Sequence, residues 1–215
     1  MRLTTEQRNA VDEAGHVCMV SCPGSGKTRA IVAKLLRCID EVTDSTRRVA
    51  CITHTNVAAD EIDTRLRQLC FGSEDAYYEV STIHAFALQN ILAPYHRLLP
   101  ELQEGFTVLT SDAEEYTAKM AELMAQYGLQ AFVEEEFERV QRNPDGSIRL
   151  SRVVPQEALV EWFRWLDANA YVTFNDMLFH AGRLVDGVGK RWRGRGCTSG
   201  KAVPQPRCAV VAQTR

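Results

Sequence analysis

The stretch Ser21-Cys22-Pro23-Gly24-Ser25-Gly26-Lys27-Thr28 sets two glycines, a lysine and a hydroxyl in an order that suits a polyphosphate. Glycines let the backbone curl until successive N–H groups point inward as an anion nest. A helix opening at Lys27 adds its positive N-terminal end. Lys27 can then reach the β- and γ-phosphates of a nucleoside triphosphate, and the Thr28 hydroxyl can ligate Mg²⁺. Lys27 and Thr28 are the residues assigned to the chemistry, with Thr28 as the metal contact. The pattern is a Walker A loop carrying Ser21 where glycine is usual. A glycine-rich turn followed by a chance Lys-Thr pair is the competing explanation, and the flanking elements decide against it.

Those elements follow from hydropathy. Residues 16–22 form an apolar run that reads as a buried strand entering the loop. Residues 27–39 have helical spacing, with Ile31, Leu35 and Ile39 on one face. Upstream, residues 4–14 predict a short helix capped by Thr4 or Thr5. Downstream come short strands at 48–53 and 80–82, a helix at 58–69 and the start of another at 84–92. Such strand–loop–helix alternation predicts a parallel sheet with crossover helices.

The middle of the chain changes character. A short strand is expected at 106–109, then helix over most of 111–142, opened by a capping box of Ser111 and Glu114. Asn143-Pro144-Asp145-Gly146 is a turn. Pro155 fits the first position of a helix reaching about Ala168, and residues 174–185 form one more. Residues 93–170 therefore read as a mainly helical insertion.

Bulk properties exclude several classes. The chain has 215 residues, 45% of them hydrophobic, enough for one domain with a sizeable insertion. It contains no run of about 18 apolar residues. Its opening, Met1-Arg2-Leu3-Thr4-Thr5-Glu6, lacks a signal pattern. No membrane association and a cytoplasmic location are the resulting expectations. Seven cysteines without a CxxC pair support neither a zinc site nor a redox couple. Cys18, Cys22, Cys38 and Cys51 lie in or beside apolar runs, where reduced thiols act as small hydrophobes. The net charge of −3 is uneven: residues 188–215 hold seven Lys/Arg and no acid, leaving 18 basic against 28 acidic residues, a net of −10, in 1–187.

Four further segments fall in a telling order. Residues 3–11, Leu-Thr-Thr-Glu-Gln-Arg-Asn-Ala-Val, precede the loop. Residues 52–62 read Ile-Thr-His-Thr-Asn-Val-Ala-Ala-Asp-Glu-Ile, residues 81–87 Ser-Thr-Ile-His-Ala-Phe-Ala, and residues 172–178 Val-Thr-Phe-Asn-Asp-Met-Leu. With the phosphate loop, this series resembles the UvrD/Rep-type superfamily 1 DNA helicases over residues 1–187. The first segment is similar to the family's Q motif, which implies that Gln7 reads the adenine edge. A carboxamide suits that task, having both donors and an acceptor. Alone, Gln7 would be an exposed helical polar residue. The second segment resembles motif Ia, implying that Thr55 and Asn56 contact the backbone of single-stranded DNA and that His54 stacks on a base. Asn56 would otherwise simply cap a helix. The third resembles motif Ib, placing His84 and Phe86 near the DNA path; His84 could also be a partly buried helix-start histidine. In the fourth, Phe174 and Leu178 are expected to pack, and Asp176 to cap or face solvent.

The resemblance implies a P-loop NTPase of α/β class: a RecA-like motor domain with a parallel sheet and a mainly helical insertion. Residues 1–92 would be its first part, 93–170 the insertion and 171–187 the return segment. Gln7, Ser21, Cys22, Pro23, Gly24, Ser25, Gly26, Lys27, Thr28 and Arg29 would bind Mg-ATP, and the complete protein would move 3′→5′ on single-stranded DNA. The family's acidic Walker B strand is missing after Gly187. The basic stretch 188–215 is expected to lie outside the fold, either as a native arm or as out-of-frame sequence ending a truncated product. Without Walker B and a second motor domain, the chain would bind nucleotide but not turn it over. A non-helicase P-loop ATPase and a binding module without catalysis are the alternatives.

Overall fold

The computed structural model describes residues 2–20, 22–42, 48–69, 78–130, 133–194 and 209–212. Packing divides the chain after Ala85, and the strand at 209–212 belongs with the first unit.

The first unit opens with α1 (Thr5–Asp12). The Thr4 hydroxyl accepts from the Gln7 backbone N–H, and the Gln7 side chain accepts from the Thr4 N–H. This reciprocal capping box satisfies two of the four donors that a helix start leaves open. Helix α2 (Lys27–Asp40) buries Val32, Leu35, Cys38 and Ile39. Strand β1 (Val49–Thr53) follows, then α3 (Asn56–Leu69) and strand β2 (Tyr78–Thr82). β1 and β2 run parallel, with Val49 beside Tyr78 and Thr53 beside Thr82. Leu35 and Ile39 meet Ile62 and Leu66 of α3 over Val49, Cys51 and Tyr78. Each fully buried Leu or Ile there contributes about 1.5–3 kcal/mol.

Two expectations are corrected here. Residues 16–20 form no strand, and Val17 and Val20 are exposed, Val20 at 92%. An apolar run becomes a strand only where a ladder partner meets its backbone groups, and none of the strands in the described sheet, ordered β2-β1-β5, pairs with this run. The second neighbour of β1 is the other correction. Strand β5 (Ala209–Ala212) pairs parallel with β1, Ala50 beside Ala209 and Thr53 beside Ala212. Four residues of the basic stretch therefore belong to the sheet. Val210 and Val211 are β-branched, which suits a strand, and the ladder with β1 meets the backbone groups on one side of β5.

The second unit starts at Phe86, inside the helix begun by α4 (Ile83–Phe86), so the boundary lies seven residues before the expected 93. A π-helical turn (Ala87–Leu92) and the short α5 (Ala93–Tyr95) continue that helix. Strand β3 (Thr107–Val108) pairs parallel with β4 (Tyr171–Val172). Helix α6 (Glu114–Tyr127) has Ala113 at its cap position without a side-chain bond, so the Ser111/Glu114 box does not form. The expected long helix breaks at Gly128, whose φ of 62° is a left-handed cap, and resumes as α7 (Glu134–Arg139). Helix α8 (Gln156–Ala168) ends where expected, but Pro155 is its N-cap rather than its first residue. Trp162 anchors its core, edge-on to Tyr116 and Phe137.

Helix α9 (Phe174–Gly194) runs past residue 187 and belongs to the second unit. Met177 and Leu184 bury against Leu92, Leu99 and Leu102. A helical apolar stripe is visible in sequence, but its partner is not.

Candidate functional site

The loop leading into α2 turns by means of two glycines in the left-handed region, Gly24 at φ 76° and Gly26 at φ 85°. Ser25 N–H closes a turn on the Cys22 carbonyl at 3.2 Å. Gly26 is the N-cap of α2, and no side chain caps that helix start. Its first-turn amides are thus not taken by a capping side chain, which fits a phosphate acceptor. Lys27 and Thr28 are half-buried at this end, and Cys22, Pro23, Gly24 and Ser25 are exposed. Ser21 lies outside the described residues.

Gln7 belongs to the same place. Its Nε2 donates to the Ser25 carbonyl at 2.8 Å. A Cβ added at Gly26 would stand 2.9 Å from that nitrogen, so glycine makes the approach possible. Helix α1 is held against α2 by cations at its C-terminal end. Lys34 Nζ donates to the Val11 carbonyl at 2.9 Å and to that of Glu13. Arg37 bonds the Val11 carbonyl and pairs with Asp12 at 2.8 Å. Cations suit the negative end of a helix. Arg29 points elsewhere: it donates to the Arg2 carbonyl at 3.3 Å, tying down the chain before α1.

A second cluster sits where β1 and β2 end. The in-register parallel pair carries both chain exits to one edge of the sheet. His54, Thr55 and Asn56 are exposed there. Thr55, not Asn56, caps α3, its hydroxyl accepting from Ala58 N–H at 3.2 Å. Thr82 caps α4 in the same way through Ala85 N–H at 3.3 Å. Buried Thr53 donates to the Thr55 carbonyl at 3.0 Å and fixes the first turn out of the strand. His84 is half-buried, and burial, with His54 nearby, holds its pKa below the usual histidine range. The fold therefore brings His54 and His84 together. Phe86 closes α4 and falls in the second unit.

The remaining expectations divide by environment. Cys38 and Cys51 are core residues, and burial pushes the Cys51 thiol up to about 11. Cys18 and Cys22 are exposed, because the run that holds them found no ladder. Asp176 neither caps nor faces solvent: Thr173 caps α9, its hydroxyl accepting from the Asp176 N–H at 3.3 Å and donating to the Asp176 carboxylate at 2.9 Å, and Asp176 is buried. Phe174, expected to pack, is 54% exposed. Sequence reasoning missed the Arg142 cluster altogether. Arg142 binds both oxygens of Asp167 at 2.8 and 3.0 Å, stands 3.1 Å from Asp176, and lies against the rings of Phe163 and Phe179. No local spacing announces such contacts. The Thr4 cap was one of two candidates in the sequence, whereas its box partner Gln7 was expected only at the adenine edge or exposed on the helix; the spacing Thr-x-x-Gln is the signal that could have found it.

Glycine turn, uncapped helix start and parallel strands together define an α/β arrangement. The chain belongs to the UvrD/REP helicase N-terminal domain family, whose model matches residues 3–187. The match stops where the acidic residues stop. The chain is 33% identical over 110 residues to the ATP-dependent DNA helicase Rep of Buchnera aphidicola subsp. Acyrthosiphon pisum (strain APS), covering 51% of this chain and 17% of the relative. It is 35% identical over 99 residues to the Escherichia coli (strain K12) protein of the same name, covering 46% and 15%. With the ATP-dependent DNA helicase PcrA of Staphylococcus aureus (strain Mu50 / ATCC 700699), it shares 30% over 108 residues, covering 50% and 14%. The chain thus spans less than a fifth of the length of these relatives. Among the described residues no helix is long and apolar enough to cross a membrane.

Proposed function

We propose that this chain is the ATP-binding portion of an ATP-dependent DNA helicase, a 3′→5′ translocase on single-stranded DNA. The observation that carries the nucleotide site is the uncapped start of α2 behind Gly24 and Gly26, with Gln7 bonded to the loop. Residues 21–28 line the phosphates, with backbone N–H groups offered by positions other than Pro23. Lys27 supplies the facing cation and Thr28 the hydroxyl for Mg²⁺. Gln7 meets the base. Arg29 contributes by holding the segment before α1 rather than by touching phosphate. Bound Mg-ATP supplies the phosphoryl group whose transfer drives the motor.

The DNA side rests on the edge formed by β1 and β2. His54 and His84 offer flat rings, and Thr55 and Asn56 offer polar groups for a phosphodiester backbone, a sequence-tolerant combination. Burial, which lowers the pKa of His84, favours stacking over phosphate pairing. The resemblance to motif Ib also names Phe86 as a DNA contact. The first unit is read as part of a RecA-like motor domain and the second as its helical insertion.

By itself the chain turns ATP over poorly. No acidic pair of the Walker B kind follows residue 187, and phosphoryl transfer needs a carboxylate to orient water. The reading is tested by titrating the chain with Mg-ADP and a labelled single-stranded oligonucleotide. Micromolar ADP binding that Lys27→Ala removes, with slow turnover, is the expected result. ADP binding unaffected by that substitution refutes the site.

A further inference from the structure

We infer that Thr4 is a positioning residue for base recognition: its backbone N–H and the Ser25 carbonyl hold the Gln7 carboxamide in one of its two flip states. The inference rests on the proposed reading that Gln7 meets the base of a nucleotide bound at the loop. The two anchors are opposite in kind. Thr4 N–H donates to Gln7 Oε1 at 3.0 Å, and Gln7 Nε2 donates to the Ser25 carbonyl at 2.8 Å. A carboxamide turned by 180° would set a donor against a donor and an acceptor against an acceptor. Both anchors are fixed in turn. Thr4 is held by its hydroxyl in the reciprocal box, and Ser25 sits between two left-handed glycines.

A carboxamide has two N–H donors and an oxygen with two lone pairs. One of each is spent on the anchors. One N–H and one lone pair remain, in a fixed spatial order. That pair matches the adenine edge, where an amino donor stands beside the N7 acceptor. Guanine presents two acceptors on the same edge, O6 and N7, and so opposes the lone pair of Oε1. A freely flipping carboxamide would also match adenine, but only part of the time and without fixing the pose of the base. The structure therefore assigns purine discrimination to Thr4, Gln7 and Ser25 acting as one unit, and to Gly26 for leaving room.

Thr4 has φ −69°, the value that proline imposes, so Thr4→Pro removes the N–H and the capping hydroxyl with little change of backbone. Thr4→Ala, which removes the hydroxyl alone and is expected to keep the preference, separates the two. Thr4→Ser keeps both the hydroxyl and the N–H. Gln7→Asn keeps a carboxamide one methylene too short to span both anchors. The full chain is titrated with Mg-ADP, Mg-GDP and pyrophosphate. Thr4→Pro and Gln7→Asn are each expected to cut the ADP-over-GDP preference by about tenfold, the worth of one well-made hydrogen bond, while pyrophosphate still binds. Thr4→Ser is expected to restore the preference. In the ligand-free chain, the Gln7 side-chain amide protons should give a distinct pair of resonances that Thr4→Pro moves to the exposed-amide position. Loss of the preference in Gln7→Ala but not in Thr4→Pro or Gln7→Asn overturns the inference alone. An unchanged preference in Gln7→Ala overturns the base-reading role, and the inference with it.

Discussion

Thr53 on β1 and Thr82 on β2 are register partners at the ends of two parallel strands. Everything that leaves these strands leaves on the same side of the sheet, so His54 and His84, apart by thirty positions in sequence, become neighbours. His54→Ala is expected to weaken binding of a short single-stranded oligonucleotide by about 1–3 kcal/mol, the range for one stacked base. Binding should be salt-sensitive and weak, because a net charge of −10 over residues 1–187 opposes a polyanion. Fluorescence anisotropy at two salt concentrations measures both. A duplex preference would count against this edge as the DNA face.

Lys27→Ala should weaken Mg-ADP by about 1.5–3 kcal/mol or more, since it removes a hydrogen bond between charged groups. Calorimetry checks it. The melting temperature of the free chain should barely move, which separates a lost ligand contact from a lost fold.

Gly24 and Gly26 both have positive φ, yet their surroundings differ. A Cβ at Gly24 meets nothing within 4 Å, whereas at Gly26 it meets Gln7 Nε2 at 2.9 Å. Gly24→Ala should cost about 1–2 kcal/mol of backbone strain and little else. Gly26→Ala should add displacement of Gln7 from Ser25, and so lose adenine preference as well. Chemical denaturation and paired ADP and GDP titrations distinguish the two effects.

Arg142 is nearly buried and satisfies Asp167 and the buried Asp176, whose own acidity burial weakens. Arg142→Met leaves those carboxylates without their cation. A loss of about 3–5 kcal/mol is expected, as when one partner of a buried pair is removed. The midpoint of urea unfolding of the full chain measures it, and a shift under about 1 kcal/mol would show that water already screens the cluster.

His180 is fully buried, and burial, followed by the charge of Arg142, lowers its pKa to about 4. The unfolded chain takes up this proton near the ordinary value of 6.5, before the folded chain does. Its contribution to stability is therefore complete above about pH 6.5 and is lost as pH falls towards 4. The loss attributable to this group is on the order of 3 kcal/mol. His180→Leu should flatten stability over that window. An equally steep profile in the variant would assign the acid sensitivity to other groups.

The sequence by itself determined the family and its local motifs. The glycines, Lys27 and Thr28 stand within one short stretch, and the Thr4–Gln7 box lies within one turn of helix, so both are local and legible without coordinates. Helices α2, α3 and α8 were equally legible, because a stripe of apolar side chains at helical spacing states its own period. Only the tertiary structure decided what pairs with what. Residues 16–20 look like a strand but have no ladder, whereas residues 209–212, set apart by their basic surroundings, pair with β1. Helix α9 carries a stripe that fits either unit, and Leu92, Leu99 and Leu102 settle it in the second. The union of Gln7 with Ser25, of His54 with His84, and of Arg142 with Asp176 spans from eighteen to thirty-four positions of sequence. Hydrogen bonds, ion pairs and apolar contacts act over a few ångströms in space, and the sequence records only the order in which their partners occur.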